Sequence, residues 1–103
     1  MSTSGENEKA DMTSRLEAAM GTAAWVLRTV GAHQVEIVTL TRGRICLKPV
    51  DLNRGEQIAR ALGCDFPLDH RMFVPGHTLW TGQVEGLEVQ VRSALRTPLG
   101  AGT

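Results

Sequence analysis

The run Leu87-Glu88-Val89-Gln90-Val91-Arg92 alternates apolar and polar residues without a break, and Glu85-Gly86 stands directly before it. Strict alternation marks a half-buried strand, because successive side chains point to opposite faces of a sheet. Thr78 to Val84 lies on the other side of Glu85-Gly86, and a two-residue turn there folds the two runs into a hairpin. The turn sets Val84 against Leu87, Gly82 against Val89 and Trp80 against Val91, all on one face. The missing side chain at Gly82 either leaves room for the Trp80 ring or marks a bulge. An apolar sheet face needs a second layer to cover it, so the other segments are read as suppliers of that layer or as more sheet.

Val35 to Val50 reads as a first hairpin. With Arg42-Gly43 as a two-residue turn, Leu40 faces Ile45 and Val38 faces Leu47. Thr39, Thr41, Arg44, Cys46 and Lys48 then lie on the opposite face, where Val35, Ile37 and Val50 disturb the polarity at the far end. A loop one residue longer or shorter would exchange the two faces.

One helix precedes each hairpin. Ser14 to Val30 opens with a capping box, Ser14 with Glu17, and closes at Gly31. Its apolar stripe is Leu16, Met20, Ala23, Leu27 and Val30, flanked by Ala19 and Val26. At about 100° per residue, Trp25 falls roughly opposite Leu16. Its neighbours there are Ala18, Gly21, Thr22 and Thr29. A second helix runs from Asp51 or Asn53 to Leu62, with Asn53 and Glu56 as another capping box and Gly63 as its stop. Between this helix and the last hairpin, Cys64 to His77 carries Pro67 and Pro75-Gly76 around Met72-Phe73-Val74. It reads as a short edge strand or as a long loop of the kind that often carries function.

The expected fold is therefore α+β, in the order helix–hairpin–helix–hairpin. It is a four-stranded, mainly antiparallel sheet with two helices on one face. Residues 13–95 form the single domain that 103 residues allow. Residues 1–12 and 96–103 are expected to be flexible tails. Met1 to Asp11 lacks the basic and apolar regions of a signal peptide, and no apolar run approaches the ~20 residues of a membrane span. The expected location is the cytoplasm, with no membrane partner, where Cys46 and Cys64 stay reduced.

The run from Trp80-Thr81-Gly82-Gln83 through Val91, together with Ile58-Ala59-Arg60-Ala61-Leu62-Gly63, resembles a pattern in small uncharacterised proteins of actinobacteria and their mobile elements. The resemblance covers the second half of the chain. It implies a stand-alone small cytoplasmic protein and carries no functional residues with it.

Candidate chemistry is sparse. His33, His70, His77, Cys46, Cys64, Asp65 and Asp69 hold no Cys-x-x-Cys, His-Glu-x-x-His or zinc-finger spacing. Within the 64–77 segment, His70, His77 and Asp69 are the residues a small metal protein or enzyme would use. No Gly-x-Ser-x-Gly, P-loop or dinucleotide fingerprint is present, so neither catalysis nor a cofactor is expected.

Lys and Arg balance Asp and Glu at eleven each. Beyond residue 12 the balance is ten basic to eight acidic, far from the footprint of a dedicated nucleic-acid binder. The alternative reading is a nucleic-acid-associated regulator that uses Arg42 and Arg44 at the first hairpin tip, with Lys48 of the same hairpin, on phosphates.

Trp25 gives the sharper expectation, because tryptophan is enriched among interface anchors. The chain reads as a non-enzymatic interaction or regulatory module that forms a homodimer or binds another protein. Ala18, Gly21, Thr22, Trp25 and Thr29 form its contact surface, unless the 64–77 segment covers Trp25 in the same chain. Ile37 and Leu79, on the outer sheet face, mark a second candidate patch.

Overall fold

The protein is described by a computed structural model covering the backbone of residues 4–41 and 43–96, and side chains from residue 14 onward within those ranges. The elements in chain order are α1 (Ser4–Val30), β1 (Val35–Thr41), β2 (Arg44–Pro49), α2 (Gly55–Ala61), β3 (Phe66–His70), β4 (His77–Val84) and β5 (Leu87–Ala94). A short 3₁₀ turn precedes β1 and another precedes α2.

Both expected hairpins form in the expected register. Leu40 lies opposite Ile45 and Val38 opposite Leu47. Val84 lies opposite Leu87, Gly82 opposite Val89 and Trp80 opposite Val91. Glu85 and Gly86 take φ of 52° and 78°, the left-handed pair that a twisted two-residue hairpin turn requires. A register shift between Val35 and Ile37 puts an extra residue in β1. It turns Val35 toward the core and leaves Ile37 on the outer face.

The sheet corrects the four-stranded expectation. It has five strands in the order β1-β2-β5-β4-β3, and it is mixed, because β2 and β5 run parallel. The fifth strand is β3, drawn from the ambiguous 64–77 segment. It pairs antiparallel with β4, Leu68 facing Leu79 and His70 facing His77. Pro67 hid it in the sequence, yet an edge strand tolerates proline because its outward side needs no donor. Met72 to Val74 follows this strand as a bend, outside the ladder. The parallel pair arises because α2 and the β3–β4 hairpin together form a crossover long enough to return the chain beside β2.

Both helices cover the same face. Val26 and Val30 of α1, Ile58, Ala59 and Leu62 of the α2 region, and Ile45, Leu47, Trp80, Val89 and Val91 of the sheet form one buried cluster. Trp80 is its largest member, and its indole Nε1 donates to Ser93 Oγ at 2.9 Å. Gly82 serves the backbone of the α2–β3 turn rather than the Trp80 ring. A Cβ there would lie 2.7 Å from both Cys64 Cα and Gly63 O.

Two features of the helices differ from expectation. First, α1 begins at Ser4, ten residues before the expected cap. No glycine or proline lies between Glu6 and Met20, and a cap worth about 1 kcal/mol does not stop a helix whose next residues continue it. Of the expected tails, 4–12 are thus helical, and 1–3 and 97–103 lie outside the described residues. Second, α1 turns its small residues inward. Ala19, Thr22, Ala23, Val26 and Val30 are buried, while Leu16 and Met20 are exposed. That rotates the buried stripe by roughly 60° from the expected line through Leu16, Met20, Ala23, Leu27 and Val30. Ahead of α2, Asp51 accepts from Asn53 N at 3.0 Å, so Asp51, not Asn53, caps this region.

Candidate functional site

With both helices on one face, the other face of the sheet carries no layer among the described residues. Alternation assigns to it Ile37 and Thr39 of β1, Arg44, Cys46 and Lys48 of β2, Glu88, Gln90 and Arg92 of β5, His77, Leu79 and Thr81 of β4, and Phe66, Leu68 and His70 of β3.

The half of this face near β1 and β2 is closed by polar pairs. Arg44 Nε meets Glu88 Oε2 at 2.7 Å, and this hydrogen-bonded carboxylate holds the Arg44 pKa above its ordinary value. Lys48 Nζ meets Glu36 Oε2 at 3.0 Å. The Cys46 thiol donates to Gln90 Oε1 at 3.5 Å, and partial burial pushes its pKa up. On the covered side Cys64 is fully buried, and desolvation pushes it up to about 11. Neither cysteine is poised as a thiolate nucleophile.

The β3–β4 half is different. Phe66 and Leu68 are exposed, and the turn that follows presents Met72, Phe73 and Val74, with Met72 and Val74 at 95% and 98% exposure. His70 and His77 stack at the end of the hairpin with ring centroids 4.9 Å apart, and Phe73 lies 5.5 Å from each. His70 Nε2 is buried and has no hydrogen-bond partner among the described residues. His77 is held below its ordinary pKa, first by desolvation and then by the charges of Arg92 and His70, with the Pro75 carbonyl opposing. Leu79 lies opposite Arg92 on β5, and Arg92 has no carboxylate partner among the described residues. These groups, with Leu52, surround a depression of about 480 Å³.

Behind β3, Asp69 anchors the same segment. Its carboxylate accepts from Thr78 Oγ1 at 2.7 Å and Arg96 Nε at 3.0 Å, with Arg71 at 3.6 Å. Hydrogen bonds from Arg96 and then Thr78 hold its pKa down.

Of the residues singled out from sequence, His70 and His77 converge, whereas Asp69 turns to the opposite face. Among the described residues, no group of three or more His, Cys, Asp or Glu could hold a metal ion. Arg44 and Lys48 are each engaged by a carboxylate, and Arg42 lies outside the described residues. Ile37 and Leu79 line one shallow depression with Cys46, Gln90 and Arg92.

Trp25 is 46% exposed, and Ala18, Gly21 and Thr29 beside it are exposed too, while Thr22 is buried. The Thr29 hydroxyl donates to the Trp25 carbonyl at 2.8 Å. The 64–77 segment does not cover Trp25, because α1 lies over β1 and β2 while β3 is the opposite edge. What sequence reasoning missed is the β3 surface. The alternation of Phe66, Leu68 and His70 was its only signal, broken by Pro67.

No helix of the described residues is long and apolar enough to cross a membrane. No family model, curated protein or solved structure matches the chain.

Proposed function

We propose that the protein is a non-enzymatic interaction module that pairs with a second copy of itself through β3 and the 71–76 turn. One observation carries this reading. Of the ten exposed large hydrophobic residues among the described ones, five (Phe66, Leu68, Met72, Phe73 and Val74) fall within nine consecutive positions on one edge. Apolar groups concentrated in this way mark contact surfaces. Burying each such side chain is worth about 1.5–3 kcal/mol, and a two-fold axis uses every one twice. Pro67 removes a backbone donor from the edge strand, so the contact runs through side chains and not through extension of the sheet.

Trp25 offers the second surface, with exposed Ala18 and Gly21 allowing close helix approach. Light scattering during size exclusion separates the two. The double variant Met72→Ser/Val74→Ser is expected to run as a monomer where the parent runs as a dimer, and Trp25→Ala as a dimer. The reverse pattern assigns the contact to α1. A monomeric parent at high micromolar concentration refutes self-association.

A further inference from the structure

We propose that the depression between the 71–76 turn and the open face of β4 and β5 binds a small molecule with a single carboxylate on a flat apolar body, anchored by Arg92. The inference does not rest on self-association, because every group it uses belongs to one chain.

Three independent features converge there. The first is charge. Arg44, the other arginine that strand alternation places on the open face, has Glu88 within salt-bridge distance. Arg92 has none among the described residues, although it sits beside Leu79 at the mouth of the depression. Its planar guanidinium is a two-pronged donor suited to a carboxylate.

The second is the count of charges. His77 is desolvated and faces Arg92 and His70, an arrangement that favours a neutral imidazole. The site thus supplies one fixed positive charge and one neutral hydrogen-bonding ring. That combination fits a monoanion better than a phosphate dianion. The third is shape. Leu52, Leu79, Phe73 and the His77 ring give an apolar wall, and about 480 Å³ is room for a ring-sized ligand. His70 Nε2, buried against these rings without a partner among the described residues, would in its Nε2–H tautomer donate to the second carboxylate oxygen once Phe73 turned outward.

Benzoate is the test ligand, titrated at neutral pH and followed through the ring resonances of His70 and His77 by NMR. Benzyl alcohol serves as the uncharged counterpart, and inorganic phosphate as the anion without an apolar body. The titration is run on the parent protein and on Leu68→Ser/Met72→Ser, whose two positions do not line the depression, so that a dimer contact at β3 and the turn cannot mask the site.

The expected result is saturable benzoate binding in the millimolar range, weakened at least tenfold by Arg92→Met and less by Arg92→Lys. Benzyl alcohol and phosphate are each expected to bind at least tenfold more weakly. Arg92 is exposed, and the backbone amide spectrum of each variant reports whether the sheet is intact. An absence of saturation in both proteins overturns the proposal. So does equal binding of benzyl alcohol or phosphate, or unchanged affinity in a folded Arg92→Met.

Discussion

The hairpins at the two edges of the sheet, β1–β2 and β3–β4, turn their inner sides to the same helical layer, β1 and β2 toward α1 and β4 toward α2, but present different outer sides to water. On β2, Arg44 and Lys48 each reach a carboxylate, and Cys46 finds Gln90. On β3 and β4, Phe66, Leu68 and Leu79 occupy the equivalent positions, and the turn adds Met72, Phe73 and Val74. The first surface meets solvent mostly with paired polar groups, Ile37 being its exposed large apolar residue among the described ones. The second exposes apolar area that the described residues leave uncovered, and it holds a buried imidazole nitrogen, His70 Nε2, with no hydrogen-bond partner among them. Where polar satisfaction fails at one place while holding elsewhere in the same sheet, the failure points to function.

The contrast extends to how each hairpin is fixed, and the largest expected effect lies there. Gly82 of β4 touches the backbone of the α2–β3 turn, so Gly82→Ala must move backbone and is expected to cost about 3 kcal/mol in urea unfolding. Gly43, in the β1–β2 turn, has nothing within 4 Å of a Cβ, and Gly43→Ala is expected to stay within about 0.5 kcal/mol. Similar losses at both positions would break the comparison.

Asp69 comes next. Its folded pKa lies below the ordinary 3.8, so its stabilisation is present above that value and is lost as pH falls through the folded value. Asp69→Asn is therefore expected to lower the melting temperature at neutral pH, with the deficit closing in strong acid. A deficit independent of pH would remove the carboxylate from the account.

His77 has a smaller effect, in a different window. Its folded pKa lies below 6.5, so the stability it contributes is complete above 6.5 and is lost as pH falls through the folded value. Melting curves of the parent and His77→Gln should diverge above 6.5 and converge below that window. Smallest is Lys48→Gln on the ion-paired half. Removing this exposed pair with Glu36 is expected to cost no more than about 0.5 kcal/mol, and a larger loss would mean that this half is less independent of its ion pairs than its exposure suggests.

The parts of the fold legible in sequence are those set by short-range chemistry. The Glu85-Gly86 turn and the pairing of Thr41 with Arg44 fix which residues oppose one another, and both registers are those the sequence predicts. What failed depended on competition between distant segments. Hydrophobicity pointed α1 along Leu16 and Met20, but close packing against the sheet selected the smaller Ala19, Thr22 and Ala23. Pro67 masked β3, and with it the fifth strand and the parallel pairing of β2 with β5. The candidate site was legible only in fragments. His70 and His77 stood out as residues, but Arg92 gains its role from a cross-strand neighbour, Leu79, and from the lack of a carboxylate within reach among the described residues.

Sedimentation equilibrium on two single variants tests the contrast between the hairpins most directly. Leu68→Ser changes the apolar half of the open face, and Ile37→Ser makes the same kind of change on the ion-paired half. A parent that dimerises, a Leu68→Ser variant at least tenfold weaker in association and an Ile37→Ser variant equal to the parent are the predicted results. Equal weakening by both substitutions, or by Ile37→Ser alone, would contradict the assignment of the contact to β3.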